Sequence, residues 1–384
     1  MQFNELHRLF EKNDTDLHTL QKEENFSRYL LVRSLDSHHL MELLEKNGIQ
    51  KSESNKTVLL YEKIFNSDIS EDDLIDYIKC KYPEVRDERL EQEIHLPEII
   101  KEYGEVKCGV RNDNLNDTAK QLVRDKSIRT KQDLEIKVDK LLQGTIKGYI
   151  LWQYYNQVTN DLVEHIFNNH ANVIPTLRKI KYVDFMVKID DKIIPFDLKI
   201  THISDEFFDL FTKGISESSG GDDSFSIGEN ASEIEIIKNH YKKYKKSYNL
   251  PNFGGLKKDE LIKILLEKSP DVSNDFVNDF FKNRRDLVNK LSKHLKKVEW
   301  WNYKFQGERL FKNNNRFFVF LAYKDSLEDA RPLKGNLEEI SKHVTEKLND
   351  ISSGNLNEIK YYYTKDKGLE GAYIVNSVSV LVTD

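Results

Sequence analysis

The chain reads as an α/β protein with a helical N-terminal region. Three observations carry that reading. Residues 1 to about 110 place apolar side chains at helical spacing in successive short runs. Residues 181–203 switch to an alternating pattern, and strand-like segments return beyond residue 315 around one further helix.

In the N-terminal region FNELHRLFEK, SHHLMELLEKNG and EDDLIDYIKCKYPEV each have helical spacing, and the last two close on Gly or Pro. No catalytic constellation falls here. A recognition, dimerisation or sensing module over 1–110 is expected. The polar RNDNLNDT at 111–118 reads as a linker opening a second domain, 111–384. Thr130 then precedes KQDLEIKVDKLLQGTIKGYI, which continues into LWQYYNQVTNDLVEHIFNNH. Gly144 and Gly148 each cost that helix roughly 1 kcal/mol and predict a break or a close backbone approach.

After Pro175 the period becomes two, over KYVDFMVKIDDKIIPFDLKITHI. The Gly/Ser/Asp-rich segment at about 214–232 predicts a mobile loop. Helices then dominate to about residue 298. RFFVFLAY at 316–323 reads as a strand, 336–350 as a helix, and EIKYYYT and AYIVNSVSVLVT as closing strands. No internal repeat is present.

The 384 residues suffice for two domains, and 38% hydrophobic with 32% charged residues is a globular composition. No run of 18 apolar residues occurs, and the acidic start MQFNELHRLFEKNDTD lacks the apolar core of a secretory signal. Cys80 and Cys108, without metal-ligand spacing, argue against a disulfide scaffold or a structural zinc site and fit a reducing cytoplasm. The formal charge of -6 does not announce a nucleic-acid binder, but residues 280–316 hold eleven Lys/Arg against three Asp/Glu.

The alternating stretch carries the chemistry. Ile194, Phe196, Leu198 and Ile200 form one apolar face, leaving Asp197, Lys199 and Thr201 on the other. Val183, Phe185, Val187 and Ile189 do the same one strand earlier and leave Asp184 opposite them. With Asp190 and Asp191 as a two-residue turn, Asp184 falls across from Asp197; a four-residue loop gives the same pairing, and a three-residue loop shifts it. Directly opposed Cβ atoms stand about 4.5–5.5 Å apart. Two carboxylates that close repel unless a divalent cation joins them, and such a donor set suits magnesium. Lys199, on the same face, is placed to meet a phosphate oxygen and an attacking water. The bland alternative is an amphipathic hairpin with solvated charges.

IPFDLKIT at 194–201, together with VDF at 183–185, resembles the PD-(D/E)xK nuclease superfamily, with its restriction-endonuclease-like fold. Asp184 matches the first Asp of the pattern, Asp197 the second acid and Lys199 the lysine; Val183 stands where the family often has Pro. The resemblance implies a central mixed β-sheet flanked by helices, phosphodiester hydrolysis, and magnesium, with manganese as a substitute. It places the metal among Asp184, Asp197, Leu198 and a further acid from a preceding helix. Glu164 is the best match for that acid and Asp161 the fallback. Thr201 can orient water.

Nucleic-acid contacts are expected from the basic run at 278–298, namely Arg284, Arg285, Lys293, Lys296 and Lys297. Trp300, Trp301 and Tyr303, followed by Lys304 and Arg309, are either base-stacking groups or, more in keeping with their type, core. HYKKYKK at 240–246 reads equally as an arm over a duplex or a solvated face. Arg331, Lys334 and Asn336 follow a strand where a loop can meet a groove. The expected function is a DNA endonuclease, type II restriction-like or an antiviral effector, acting on double-stranded DNA as a two-fold homodimer. The alternatives are a nuclease for RNA, branched or single-stranded DNA, or a non-catalytic nucleic-acid-binding protein. No phosphate-cradling G-x-x-x-x-G-K-[ST] loop appears.

Overall fold

A computed structural model describes the chain apart from residues 13–16, 51–55, 94, 104–124, 126, 129, 306–313 and 366–367. The expected linker at 111–118, Cys108 and Arg309 lie outside the described residues. No helix of the described residues is long and apolar enough to cross a membrane.

The N-terminal region holds α1 (Phe3–Lys12), α2 (Leu17–Leu20), α3 (Phe26–Arg33), α4 (Ser37–Lys46), α5 (Thr57–Phe65), α6 (Glu71–Glu93) and α7 (Leu96–Tyr103). Helix α6 does not stop at its proline but runs through Pro83. Leu74, Tyr77 and Ile78 are buried in the core that α6 shares with the sheet. That packing overrides a local penalty of about 3 kcal/mol. Arg28 closes the end of α5, donating to the carbonyls of Ile64, Phe65, Ser67 and Ile69 at 2.6–2.8 Å.

The core of this helical region is continuous with one side of the sheet. Leu30, Leu31, Leu74 and Ile78 pack with Ile174, Ile180, Val183, Met186 and Ile193 of the sheet. Backbone contacts reinforce the joint: Arg178 N–H donates to the Ser34 carbonyl at 2.8 Å, and Ile193 N–H to Ser27 Oγ at 3.0 Å.

Helix α8 (Lys131–Leu141) opens on a capping box between Thr130 and Asp133. A π-helical turn at Leu142–Ile146 leads into α9 (Lys147–Asn168). Gly144 lies in that turn, which is the expected break; a Cβ on Gly144 or Gly148 would meet nothing within 4 Å, so no backbone approaches closely there.

The sheet follows. Strands β1 (Val173–Ile180), β2 (Val183–Ile189) and β3 (Lys192–His202) form an antiparallel meander, and α10 (Asp205–Lys213) leads away from it. The segment expected as a mobile loop is a hairpin of β4 (Ile215–Glu217) and β5 (Phe225–Ile227). Asp223 pins it, accepting from Trp300 Nε1 at 3.1 Å and Tyr362 N–H at 3.2 Å. Next come α11 (Glu233–Tyr244), α12 (Lys258–Lys268), α13 (Pro270–Leu291) and α14 (Leu295–Phe305). The basic run expected as one helix over 278–298 is therefore split at residues 292–294. Strand β6 (Arg316–Ala322), α15 (Leu337–Asn349), β7 (Asn357–Tyr363) and β8 (Gly371–Thr383) complete the fold.

The six-stranded sheet runs β1-β2-β3-β6-β8-β7 and is mixed: β3–β6 and β6–β8 pair parallel, the remaining neighbours antiparallel. One face, carrying Phe185, Phe196, Phe317, Val319 and Val378, rests on α9 and α15 through Val163, Phe167, Ile340 and Val344. The other face has two covers. The N-terminal helices lie over β1–β3, while α10 and α14 lie over β6 and β7, with Phe207, Trp300 and Tyr303 against Phe318 and Tyr361. Trp300, Trp301 and Tyr303 are thus core residues, not groups presented to bases.

Candidate active site at a fork in the sheet

Strand β3 changes neighbours at its centre. Up to Phe196 its ladder is with β2; from Asp197 to His202 it pairs with β6. Ile189 pairs with Lys192, so the β2–β3 turn holds two residues, with Asp190 at φ 52° as primed hairpin turns require. The last ladder pair is Phe185–Phe196; one step further, the same register sets Asp184 opposite Asp197. There the strands no longer exchange a regular pair of bonds. Instead Asp184 Oδ2 accepts from Leu198 N–H at 2.7 Å. A strand residue's N–H and C=O point to the same side, so the Leu198 carbonyl faces this gap as well.

Strand β1 contributes to the opening. Its register against β2 shifts between Pro175 and Ile180, a bulge directly beside Asp184. Bulges of this kind bend a strand and re-aim side chains. The fork therefore presents Asp184 and Asp197, with Lys199 two positions further along the Asp197 face.

A residue that sequence reasoning passed over completes the row. Arg316 is the β6 partner of Asp197, is 3% exposed, and donates from Nε to Asp197 Oδ2 at 3.1 Å. Its Cζ lies 5.3 Å from the Tyr303 ring centre. Asn315, next to it, ties three strands together. Its carbonyl accepts from Asp197 N–H at 3.0 Å, its Nδ2 donates to the Pro195 carbonyl at 3.2 Å, and its Oδ1 accepts from Asn376 N–H at 3.0 Å. Behind this row stands Glu299 of α14, fully buried and bonded to Asn357 Nδ2 at 2.9 Å and to the Ser379 hydroxyl. Burial pushes the Glu299 carboxyl up, against the opposing hydrogen bonds from Ser379, Asn357 and Ser377.

Burial also pushes the Asp184 carboxyl above its usual range; the Leu198 N–H works against that rise and the neighbouring Asp197 charge adds to it. Two carboxylates and a backbone carbonyl around one gap make an oxygen donor set of the kind a hard divalent cation takes. Each carboxylate has one oxygen committed, Asp184 to Leu198 and Asp197 to Arg316, which leaves the second oxygen of each as the atom a cation would meet. The residues fit magnesium, in competition with Arg316 for Asp197.

Glu164 is half-buried on α9, a helix whose Val163 and Phe167 pack beneath the opposite face of the sheet. Its charge acts on the phenol of Tyr82. Asp161, on the same helix, accepts from Gln157 at 2.9 Å. Thr201 opens a crevice of about 610 Å³ that also involves Ser204, Glu206, Trp301 and Lys365.

The expected nucleic-acid residues divide. Arg284 is 3% exposed and encloses its guanidinium between Glu233, at 2.5 Å, and Asp205, at 3.0 Å, over the Phe208 ring. Lys334 is likewise buried, donating to Asn156 and Asn160 at 2.8 and 2.7 Å. Neither reaches a phosphate from there, because partners distant in sequence have drawn them inside. Arg285 is exposed and paired with Asp325 at 2.6 Å, and Arg331 pairs with Asp329 at 2.6 Å beside Trp152. Lys293 is exposed, Lys296 half-buried, and Lys297 lies near the Phe211 ring while donating to the Ile215 carbonyl. Asn336 caps α15.

Two further groupings escaped the sequence reading. Asp36, His38 and His39 bring their ligand atoms within 4.8 Å of one another at the start of α4. A crevice of about 1020 Å³ opens at the carboxyl ends of β3 and β6, lined by His202, Asp205, Lys257, Asp329 and Arg331 among others. At its base Lys258 meets Glu233 at 2.8 Å and Asp209 at 3.0 Å. No family model, no curated protein and no solved structure matches this chain.

Proposed function

We propose that the chain is a magnesium-dependent endonuclease of the PD-(D/E)xK kind, hydrolysing phosphodiester bonds in double-stranded DNA as a restriction-like or antiviral defence enzyme. The observation that carries this reading is the fork in the sheet, where Asp184, Asp197 and the Leu198 carbonyl converge on one gap with Lys199 beside it. A mixed sheet flanked by helices, with the acidic pair on adjacent strands, is the setting that the motif implies.

Asp184, Asp197 and Leu198 would hold the cation, which supplies Lewis acidity and lowers the pKa of a bound water. The chain's own residues do the rest. Lys199 offers an ammonium to a phosphate oxygen and to the attacking water, and Asn315 fixes the β3 backbone that carries Asp197. Exposed Lys293 and half-buried Lys296 supply backbone contacts to the polymer.

Plasmid and phage DNA incubated with and without magnesium, followed by end mapping, tests the reading. Cleavage that requires the metal is expected, and inertness of both substrates contradicts it. The Arg316–Asp197 ion pair favours one other reading, a nucleic-acid-binding protein that holds no metal. Duplex binding without manganese binding would select it.

A further inference from the structure

Arg316 stands at the fork in an arrangement that the nuclease reading alone does not explain. It is 3% exposed, and its Nη1 is buried with no hydrogen-bond partner among the described residues. An unsatisfied donor on a charged group costs about 1–3 kcal/mol or more. Orphans of this kind in a folded protein call for a specific cause, such as a missing ligand. The guanidinium is also held in place: Nε bonds Asp197 Oδ2 at 3.1 Å, and Cζ lies 5.3 Å from the Tyr303 ring and 6.0 Å from the Phe318 ring. Asn315 and Ser377 fix the backbone on either side, the first through β3 and β8, the second by accepting Arg316 as its β8 ladder partner.

Resting on the nuclease reading, we propose that Arg316 couples metal loading to the nucleic-acid phosphate. Without a polymer, its positive charge occupies Asp197 Oδ2 and opposes a divalent cation in the gap between Asp184 and Asp197. When a phosphodiester arrives, Arg316 turns out of its buried position and Nη1 donates to one of the non-bridging oxygens. The phosphate charge then offsets that of Arg316, and the cation gains access to Asp197. Metal and polymer bind each other's preferred state, and the coupling is reciprocal. Arg316 is thus a phosphate-binding and positioning residue, and it weakens metal binding to the free protein. Lysine cannot replace it fully, because a single ammonium cannot bond Asp197 and a phosphate in the fixed geometry of a fork.

The test measures two affinities on the full chain. Manganese binding to the free protein is read by electron paramagnetic resonance. Binding of a duplex oligonucleotide is read by fluorescence anisotropy in the presence of a chelator, where no cleavage occurs. Arg316→Gln is expected to tighten manganese binding about fivefold or more and to weaken duplex binding by a similar factor. Arg316→Lys, which keeps the charge and guards against a loss of folding in the Gln variant, is expected to leave manganese binding near wild type and still weaken duplex binding. Asp197→Asn removes manganese binding in every background. Opposite signs in the two affinities are the signature, since a merely structural role weakens both together. Unchanged or weaker manganese binding in a folded Arg316→Gln variant overturns the proposal and leaves the nuclease reading standing. Absence of manganese binding in wild type and all variants alike overturns the metal site itself.

Discussion

Two places in this molecule set basic side chains against carboxylates, and they do so to opposite effect. At the base of the large crevice, Lys258 and Arg284 meet Glu233, Asp205 and Asp209 in a network that ties α10, α11, α12 and α13 together. Both cations there are 3–4% exposed, and each is engaged with more than one acid. At the fork in the sheet, two carboxylates on adjacent strands share a single Arg316, which bonds only Asp197 of the two and keeps one donor unsatisfied. In the first group two cations meet three acids, and every acid is engaged, which makes the group structural. In the second, Arg316 meets one of two acids beside a backbone opening, with Lys199 two positions along the same strand face. The number of acids that each cation engages separates these two groups better than burial does: Lys258 and Arg284 each meet at least two, Arg316 one.

The largest effect that would sharpen the contrast lies in catalysis. Asp197→Ala should lower cleavage by about 100-fold or more while sparing duplex binding, measured on a supercoiled plasmid and by anisotropy. Unchanged cleavage would break the assignment. The largest stability effect belongs to the other group. Arg284→Met removes one of the two cations that meet buried Glu233 and should cost about 3–5 kcal/mol in urea unfolding, with manganese binding retained.

Glu299 offers an intermediate case. Burial holds its carboxyl up, so the neutral isostere Glu299→Gln should unfold within about 1 kcal/mol of wild type, whereas Glu299→Ala strands Asn357 and Ser379 and should cost about 1–3 kcal/mol. Equal loss in both variants would mean that the charge itself is required.

The smaller effects test the charges at and around the fork. Asp184 has a folded pKa raised above its unfolded value, so its stabilising contribution is present below the unfolded pKa and is lost as pH rises through the folded one. Asp184→Asn should therefore raise the melting temperature at pH 7 by about 1 °C, with the gain vanishing below about pH 4. A loss at pH 7 would show that Asp184 is a net stabiliser in the metal-free protein. Smallest of all, Lys293→Gln should weaken duplex binding slightly and reduce its salt slope by about 1.

Much of this frame is legible in the sequence because strand periodicity is local. The alternation of 192–201 places Asp197 and Lys199 on one face without knowledge of anything distant, whereas Val183, expected on the face of Phe185, packs with the N-terminal helices on the other. Strand β1 is harder to see, since Pro175 interrupts it and VIPTLRKI lacks a clean period of two. The helix through Pro83 is also hidden, because what sustains it is packing on the sheet. Arg284 shows the limit for charged groups: its partners Asp205 and Glu233 lie 79 and 51 residues away, so a run that looks like a basic surface is partly an interior network. Arg316 was missed for the same reason. It opens a strand that reads as hydrophobic, and only parallel pairing across 119 residues brings it to Asp197.

The most direct measurement of the central claim is anomalous diffraction from crystals soaked with saturating manganese. The account predicts a peak in the fork, between the carboxylates of Asp184 and Asp197 and within reach of the Leu198 carbonyl. A fork without a peak, or manganese found only at Asp36, His38 and His39, would contradict it.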